Sequence, residues 1–202
     1  MLGSPSRDRR AERREATRAE ILEAAWEQVR AEGLGALSLR DLARRVGMQA
    51  PSLYSYFDSK HAIYDAMFAQ GAQQFLDLER AVPTTGDALR DLQTGSRLFV
   101  TFCTEDPARY QLMFQRPIPG FEPSPESYAI SVEALQIVRD RLHAAGLTEP
   151  RDLDLFTAIG AGLSAQQVSN DPGGDRWVRL VDEAIEMFFE HVSERNRKGT
   201  RK

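Results

Sequence analysis

The stretch Leu39 to Lys60, LRDLARRVGMQAPSLYSYFDSK, concentrates side chains that can address a polar surface: Gln49, Ser52, Tyr54, Ser55 and Tyr56. The chemistry they suggest is recognition rather than bond making. A glutamine can pair with the N6/N7 edge of adenine, a serine can donate to a base or a phosphate, and tyrosine hydroxyls suit phosphate oxygens. Lys60 falls in the first turn of the following helix, where free backbone N–H groups already favour an anion, and so reads as a phosphate clamp.

Such side chains need a scaffold that holds a short helix away from the body of the protein. Two helices packed at a steep angle require a small residue facing the partner, a turn residue free to take positive φ, and apolar side chains to close the wedge. Ala43, Gly47 and Leu53 meet those needs, with Leu42, Val46 and Met48 completing the apolar set. The spacing is that of a helix-turn-helix, whose second helix lies in the major groove. A small-x-x-x-Gly spacing also occurs in plain helical hairpins. The aromatic and hydrogen-bonding residues left over on the third helix favour the DNA reading, because a structural surface helix has no need of them.

The rest of the chain is predicted to be helical throughout, with apolar residues at helical spacing and no sustained period-two alternation. A first helix runs from about Arg13 to Glu32, with Ile21, Leu22, Ala25, Trp26 and Val29 on one face. Ser38 caps a second helix with Asp41 as acidic partner, and a third, short helix follows Gln49 with Pro51 in its first turn. A long fourth helix, about Ser59 to Val82, is able to link two domains. Segments 84–104, 107–114, 124–145, 151–169 and 175–194 complete about nine helices in an all-α fold. The expected organisation is a flexible basic arm over 1–12, a helix-turn-helix domain over 13–60, a second helical domain over 61–194 and a disordered basic tail over 195–202.

Charge is divided along the chain. The total is -4, yet residues 1–60 carry net +2 and residues 61–202 net -6. Arg7, Arg9, Arg10, Arg13, Arg14 and Arg18 crowd the amino terminus, which suits a DNA-contacting arm and suits a solubilising tail equally well. No stretch is long and apolar enough for a bilayer span, and the amino terminus lacks the apolar centre of a signal peptide, so a cytoplasmic protein is expected. Cys103, the only cysteine, excludes an internal disulfide and reads as a buried thiol.

Residues 13–68 resemble the DNA-binding domain of the TetR family, most strongly in GMQAPSLYSYFDSKHAIYDAMF. The resemblance implies that Arg40 and the start of the third helix, Gln49, Ala50 and Pro51, approach base edges. It implies phosphate contacts for Ser38, Tyr54, Tyr56 and Lys60, with Ser52 and Ser55 on the same exposed surface. Ala50 stands where some members carry a polar base-reading side chain, so readout there rests on apolar contact or on neighbours. The remaining helices, by the same resemblance, form a ligand-binding and dimerisation domain, with the last two helices of each subunit making a four-helix interface and the dimer matching a palindromic operator.

Within that second domain Phe99, Phe102, Tyr110, Met113, Phe114 and Phe121 cluster around a proline-punctuated short helix, and Tyr128 and Phe156 can join them. These residues are candidates to line a pocket for a small-molecule effector with an apolar part, or are ordinary core. Gly160 and Gly162, inside a helix, predict close packing against another helix. Enzymatic motifs are missing: His61, His143 and His191 lack metal-ligand spacing, there is no Gly-x-Ser-x-Gly elbow, and no phosphate-binding lysine loop. No catalytic residue, metal or cofactor is expected. The alternative to a sequence-specific, ligand-responsive repressor is a non-specific DNA-binding protein held by its arginines.

Overall fold

The structure, a computed structural model, describes residues 5–199. Among them run nine α-helices and no strand: α1 Pro5–Glu32, α2 Leu39–Arg45, α3 Ala50–Leu53, α4 Lys60–Ala81, α5 Ala88–Glu105, α6 Pro107–Phe114, α7 Pro125–Ala144, α8 Pro150–Asn170 and α9 Val181–Gly199. Helix starts follow local chemistry. Ser38, Ser59, Asp87, Asp106 and Ser124 each accept a backbone N–H from the first turn of the helix they open, and Pro51, Pro107, Pro125 and Pro150 occupy first-turn positions where a missing N–H costs nothing.

Three boundaries depart from the sequence reading. The expected flexible arm is helical from Pro5 onward, because its Arg, Ala and Glu residues are strong helix formers. The helix expected from Thr84 begins only at Ala88, since the Asp91 carboxylate draws in the Thr85 N–H and hydroxyl and holds 84–87 as a loop. The expected disordered tail is helix as far as Gly199, secured where Arg195 meets the fully buried Asp152 at 2.7 Å. Residues 1–4 and 200–202 of those two segments lie outside the described residues.

The apolar interior forms three clusters, two of them along α4. The first joins α1, α2 and α3 to Ile63, Tyr64, Met67, Phe68 and Ala72 and reaches Leu112 and Phe121. The second gathers Phe75 and Leu76 with Phe102, Cys103, Tyr110 and Ala134. The third, carried by α5, α7, α8 and α9, holds Leu92, Leu142, Phe156, Val181, Ile185 and Phe188. The expected division after residue 60 is thereby moved: the first half of α4 is the floor of the amino-terminal core, and its second half belongs to the next. The change falls between Ala72 and Phe75, and Tyr64 anchors the first part. It is fully buried, its hydroxyl donates to the Leu34 carbonyl, and burial pushes its pKa up to about 12.

Two polar links cross between the halves. Arg30 of α1 pairs with Asp106, the cap of α6, at 2.9 Å, and Asp65 of α4 receives hydrogen bonds from Ser124 and Ser127 at the start of α7. No described helix is long and apolar enough to cross a membrane.

Candidate nucleic-acid interface

The angle between α2 and α3 is built at Gly47. Its φ of 69° lies in the left-handed region, where a side chain costs about 1–2 kcal/mol, and the Met48 N–H closes the turn on the Ala43 carbonyl at 2.8 Å. Ala43, Leu42 and Leu53, each at most 1% exposed, seal the wedge beneath it. With that face spent on packing, α3 turns Pro51 and Ser52 outward, flanked by exposed Gln49 and Tyr54. Tyr54 is 52% exposed, a large aromatic ring left in water at the end of a four-residue helix. Gln49 occupies the helix N-cap without using its side chain there, so its amide is free for a ligand. Arg40, on α2, is also exposed.

Other expected contact residues already have work inside the protein. Ser38 caps α2 through the Asp41 N–H at 3.4 Å, and its own N–H meets the side chain of buried Gln28. The Ser55 hydroxyl donates back to the Ser52 carbonyl at 2.7 Å. Ala50 and Tyr56 are half-buried against the amino-terminal core, which leaves only part of each side chain to a groove. Lys60 corrects the picture of a free phosphate clamp: its ammonium donates to the Gly35 carbonyl at 3.2 Å and lies 5.6 Å from the centre of the Tyr64 ring. An ammonium has three N–H donors, so that carbonyl occupies one and leaves two for an anion.

Two residues of the basic cluster at the amino terminus hold the turn after α3 in place. Arg14 of α1 donates to the Ser55 carbonyl at 2.7 Å and lies over the Tyr56 ring, while Arg18 donates to the Tyr56 carbonyl at 2.5 Å and lies 4.3 Å from the centre of Phe57. Carbonyls at the end of a helix carry partial negative charge, so cations are favoured there. Their i, i+4 spacing was visible in the sequence; the carbonyls they meet were not.

The eight aromatic and Met residues expected near an effector do not line one cavity. Phe99, Phe102, Tyr110, Met113 and Phe114 do converge, around Phe75 of α4, with ring centres 5.1 Å apart for Phe75–Phe102 and 5.4 Å for Phe99–Phe114. Phe121 instead packs on Tyr64 and His61 in the amino-terminal core, Phe156 on Phe188 in the carboxy-terminal one, and Tyr128 is 55% exposed. Arg109 runs through the converging group, its guanidinium 3.8 Å from the centre of the Phe102 ring and hydrogen-bonded to Gln74 and the Phe102 carbonyl. Burial lowers its pKa. Clefts open elsewhere: one of about 460 Å³ between Arg30 and Arg109, another of about 500 Å³ bounded by Arg18, Phe57, Asp65 and Ser127.

The glycines of α8 divide. A Cβ on Gly160 would come within 3.1 Å of the Phe99 ring, so its smallness serves an internal contact, whereas Gly162 faces open space. Cys103 is buried, and burial pushes its thiol up to about 12, far from thiolate at neutral pH. Among the described residues no group of three His, Cys, Asp or Glu could hold a metal ion.

Comparison with known proteins falls on the same region. Residues 21–67 match the family model described as bacterial regulatory proteins, tetR family. The HTH-type transcriptional regulator Rv1816 of Mycobacterium tuberculosis is 28% identical over 124 residues, 60% of this chain and 53% of that protein. The chain spans about half the length of the curated relatives it matches. Among solved structures, the regulatory protein SCO4313 superposes with a TM-score of 0.75 at 24% identity, covering 88% of this chain and 97% of that one. The regulator FadR from Bacillus subtilis, solved in complex with stearoyl-CoA, superposes at 0.66 with 18% identity, covering 85% and 97%. At such identities these structures speak for the fold alone.

Proposed function

We propose that this chain, whose residues 21–67 match the tetR family of bacterial regulatory proteins, is a TetR-type, sequence-specific DNA-binding transcription regulator that acts as a homodimer and releases its operator when a small molecule binds. The observation that carries the reading is the division of α3: Leu53 is wholly buried while Gln49, Ser52 and Tyr54 face outward, free to meet base edges and phosphates. Arg40 adds a cation on the neighbouring helix, and Ser38, Tyr56 and Lys60 reach the backbone at the rim. A coating protein without sequence preference needs the arginines but not the glutamine and serine.

The dimer forms through α8 and α9. Leu155 and Met187 are 45% and 65% exposed there, and Gly162 allows close approach of a second helix. Two-fold symmetry then calls for a palindromic operator with half-sites one or more DNA turns apart. The effector enters the aromatic group of Phe75, Phe99, Phe102 and Phe114 and carries an apolar part. Phe114, 42% exposed, offers the way in. That the B. subtilis neighbour was solved with stearoyl-CoA is in keeping with an apolar effector. Movement of α4, shared by the amino-terminal core and the Phe75 cluster, changes the spacing of the two recognition helices and lowers operator affinity, with a coupling of about 1–3 kcal/mol typical of such switches. α4 carries both Ile63, in the core with Leu53 of α3, and Phe75, at the centre of the aromatic group.

Selection of bound duplexes from a random DNA library near physiological salt, with Tyr54→Ala in parallel, tests the reading. Recovery of one palindrome that the variant loses supports it. Recovery of no common sequence returns the protein to the non-specific class, and selection unaffected by Tyr54→Ala removes α3 as the reading helix.

A further inference from the structure

We propose that the first turns of α1 form a second DNA-contacting surface, in which Arg9, Arg10 and Arg13 take phosphates flanking the bases that α3 faces. The inference rests on the DNA-binding reading and adds to it a surface that the helix-turn-helix does not include.

At about 100° per residue, Arg9, Arg13, Arg10, Arg14 and Arg18 follow one another around roughly half the circumference of α1, while Glu12 and Glu15 occupy the other half. The amino-terminal turns are therefore cationic on one side and acidic on the other. Arg14 and Arg18 fix where the cationic side points, because both reach carbonyls at the end of the recognition element, on Ser55 and Tyr56. Arg10 lies one turn before Arg14 on nearly the same line, about 6 Å farther along the axis, so it projects past the end of that element. Arg9, Arg10 and Arg13 are all exposed.

No ion pair among the described residues engages these three arginines, in contrast to Arg18 with Glu15, Arg30 with Asp106 or Arg45 with Glu32. Their occupant must be anionic, extended and adjacent to whatever Tyr54 and Ser52 touch, and the sugar-phosphate backbone of the same duplex has that chemistry and that position. Because the surface is carried on a continuous helix from Pro5, it docks with less ordering cost than a flexible arm would. Each phosphate neutralised releases condensed counterion, which gives the surface a measurable signature: a contribution of about 0.9 to the slope of log affinity against log salt.

The experiment compares the full chain with its Arg9→Gln, Arg10→Gln, Arg13→Gln variant on the selected palindrome and on a scrambled duplex from 50 to 200 mM salt. A triple Arg→Lys variant serves as the charge-retaining control. The proposal expects the Gln variant to lose about 1.8 to 2.7 units of salt slope on both duplexes, two to three phosphates' worth, so that the wild-type advantage shrinks about 12- to 40-fold across that range, while the Lys variant keeps the slope. An unchanged slope in a Gln variant that still selects the palindrome overturns it and leaves the helix-turn-helix reading standing. Loss of slope in the Lys variant as well overturns it in favour of a folding effect. A wild-type chain that binds neither duplex removes the DNA-binding reading, and this surface with it.

Discussion

The carboxylate of Asp65 in α4 takes both the backbone N–H of Ser124, at 2.6 Å, and its hydroxyl, at 3.0 Å, so the residue that caps α7 is tethered to the helix that begins at Lys60. Ser127 adds its own hydroxyl to the same carboxylate at 3.0 Å. The joint ties the start of α7 to the second turn of α4, whose Ile63 and Tyr64 share a core with Leu53 of α3.

Asp65→Ala removes the joint and leaves the start of α7 short of an acceptor. Hydrogen bonds to a charged group contribute about 1.5–3 kcal/mol each where they are buried, and these are partly so; a net loss of about 1–3 kcal/mol is expected. Thermal unfolding should show a lower Tm. Fluorescence-anisotropy titration should show retained operator binding with a weaker effector response. An effector response equal to wild type would mean that the signal bypasses this joint.

Arg195→Ala should cost far more than its position near the carboxy terminus suggests. Asp152 is 0% exposed and its partner is Arg195 at 2.7 Å, so truncation leaves a buried carboxylate without its cation, a change of about 3–5 kcal/mol. Urea unfolding of the single variant and of Asp152→Asn/Arg195→Ala provides the measurement. The double variant, with no charge left to bury, should recover part of the loss.

Asp91 makes stability depend on pH at the acid end. The Thr85 hydroxyl first, then the Thr85 and Gly86 N–H groups, hold its carboxyl below the usual carboxylate range. A depressed folded pKa contributes stability that is fully present above the unfolded value of about 3.9 and is lost as pH falls through the folded one. Melting curves between pH 3 and 7 should therefore decline toward low pH in the wild type. Asp91→Asn should start lower at pH 7 and decline less.

Met187→Glu tests the dimer. With 65% of its surface exposed, Met187 can accept a carboxylate in the monomer without burying it, whereas in a four-helix interface two carboxylates would face each other across the two-fold axis. Light scattering should report a shift from dimer toward monomer with helicity unchanged. A dimer that persists would move the interface away from α9.

The sequence made the helix-turn-helix legible because its requirements are local: a capping serine, a glycine at positive φ and a proline in a first turn each act within a few residues of themselves. Ser38, Gly47 and Pro51 all appear in the roles their types predict. The ends of the chain were misread for an opposite reason. Nothing near Arg195 announces Asp152, forty-three positions away, and a basic segment reads as a solvated tail until the buried carboxylate it answers is known. The aromatic set suffered similarly. Phe121 and Phe114 stand seven positions apart, yet the turn through Arg116 and Gly120, both at positive φ, sends one to Tyr64 and the other to Phe99. Lys60 was assigned by its place in a helix start, and the Gly35 carbonyl that holds it comes from a different element.

Tyr64, Met67 and Phe68 lie in the amino-terminal core although they belong to the helix that also carries Phe75 and Leu76. A fragment ending at Lys60 would thus lack the floor on which α1, α2 and α3 rest, and would be largely unfolded in isolation. For the whole chain such sharing predicts a single cooperative melting transition, with calorimetric and van't Hoff enthalpies in agreement, because the amino-terminal core shares α4 with the Phe75 cluster, which in turn shares α5 and α7 with the carboxy-terminal one.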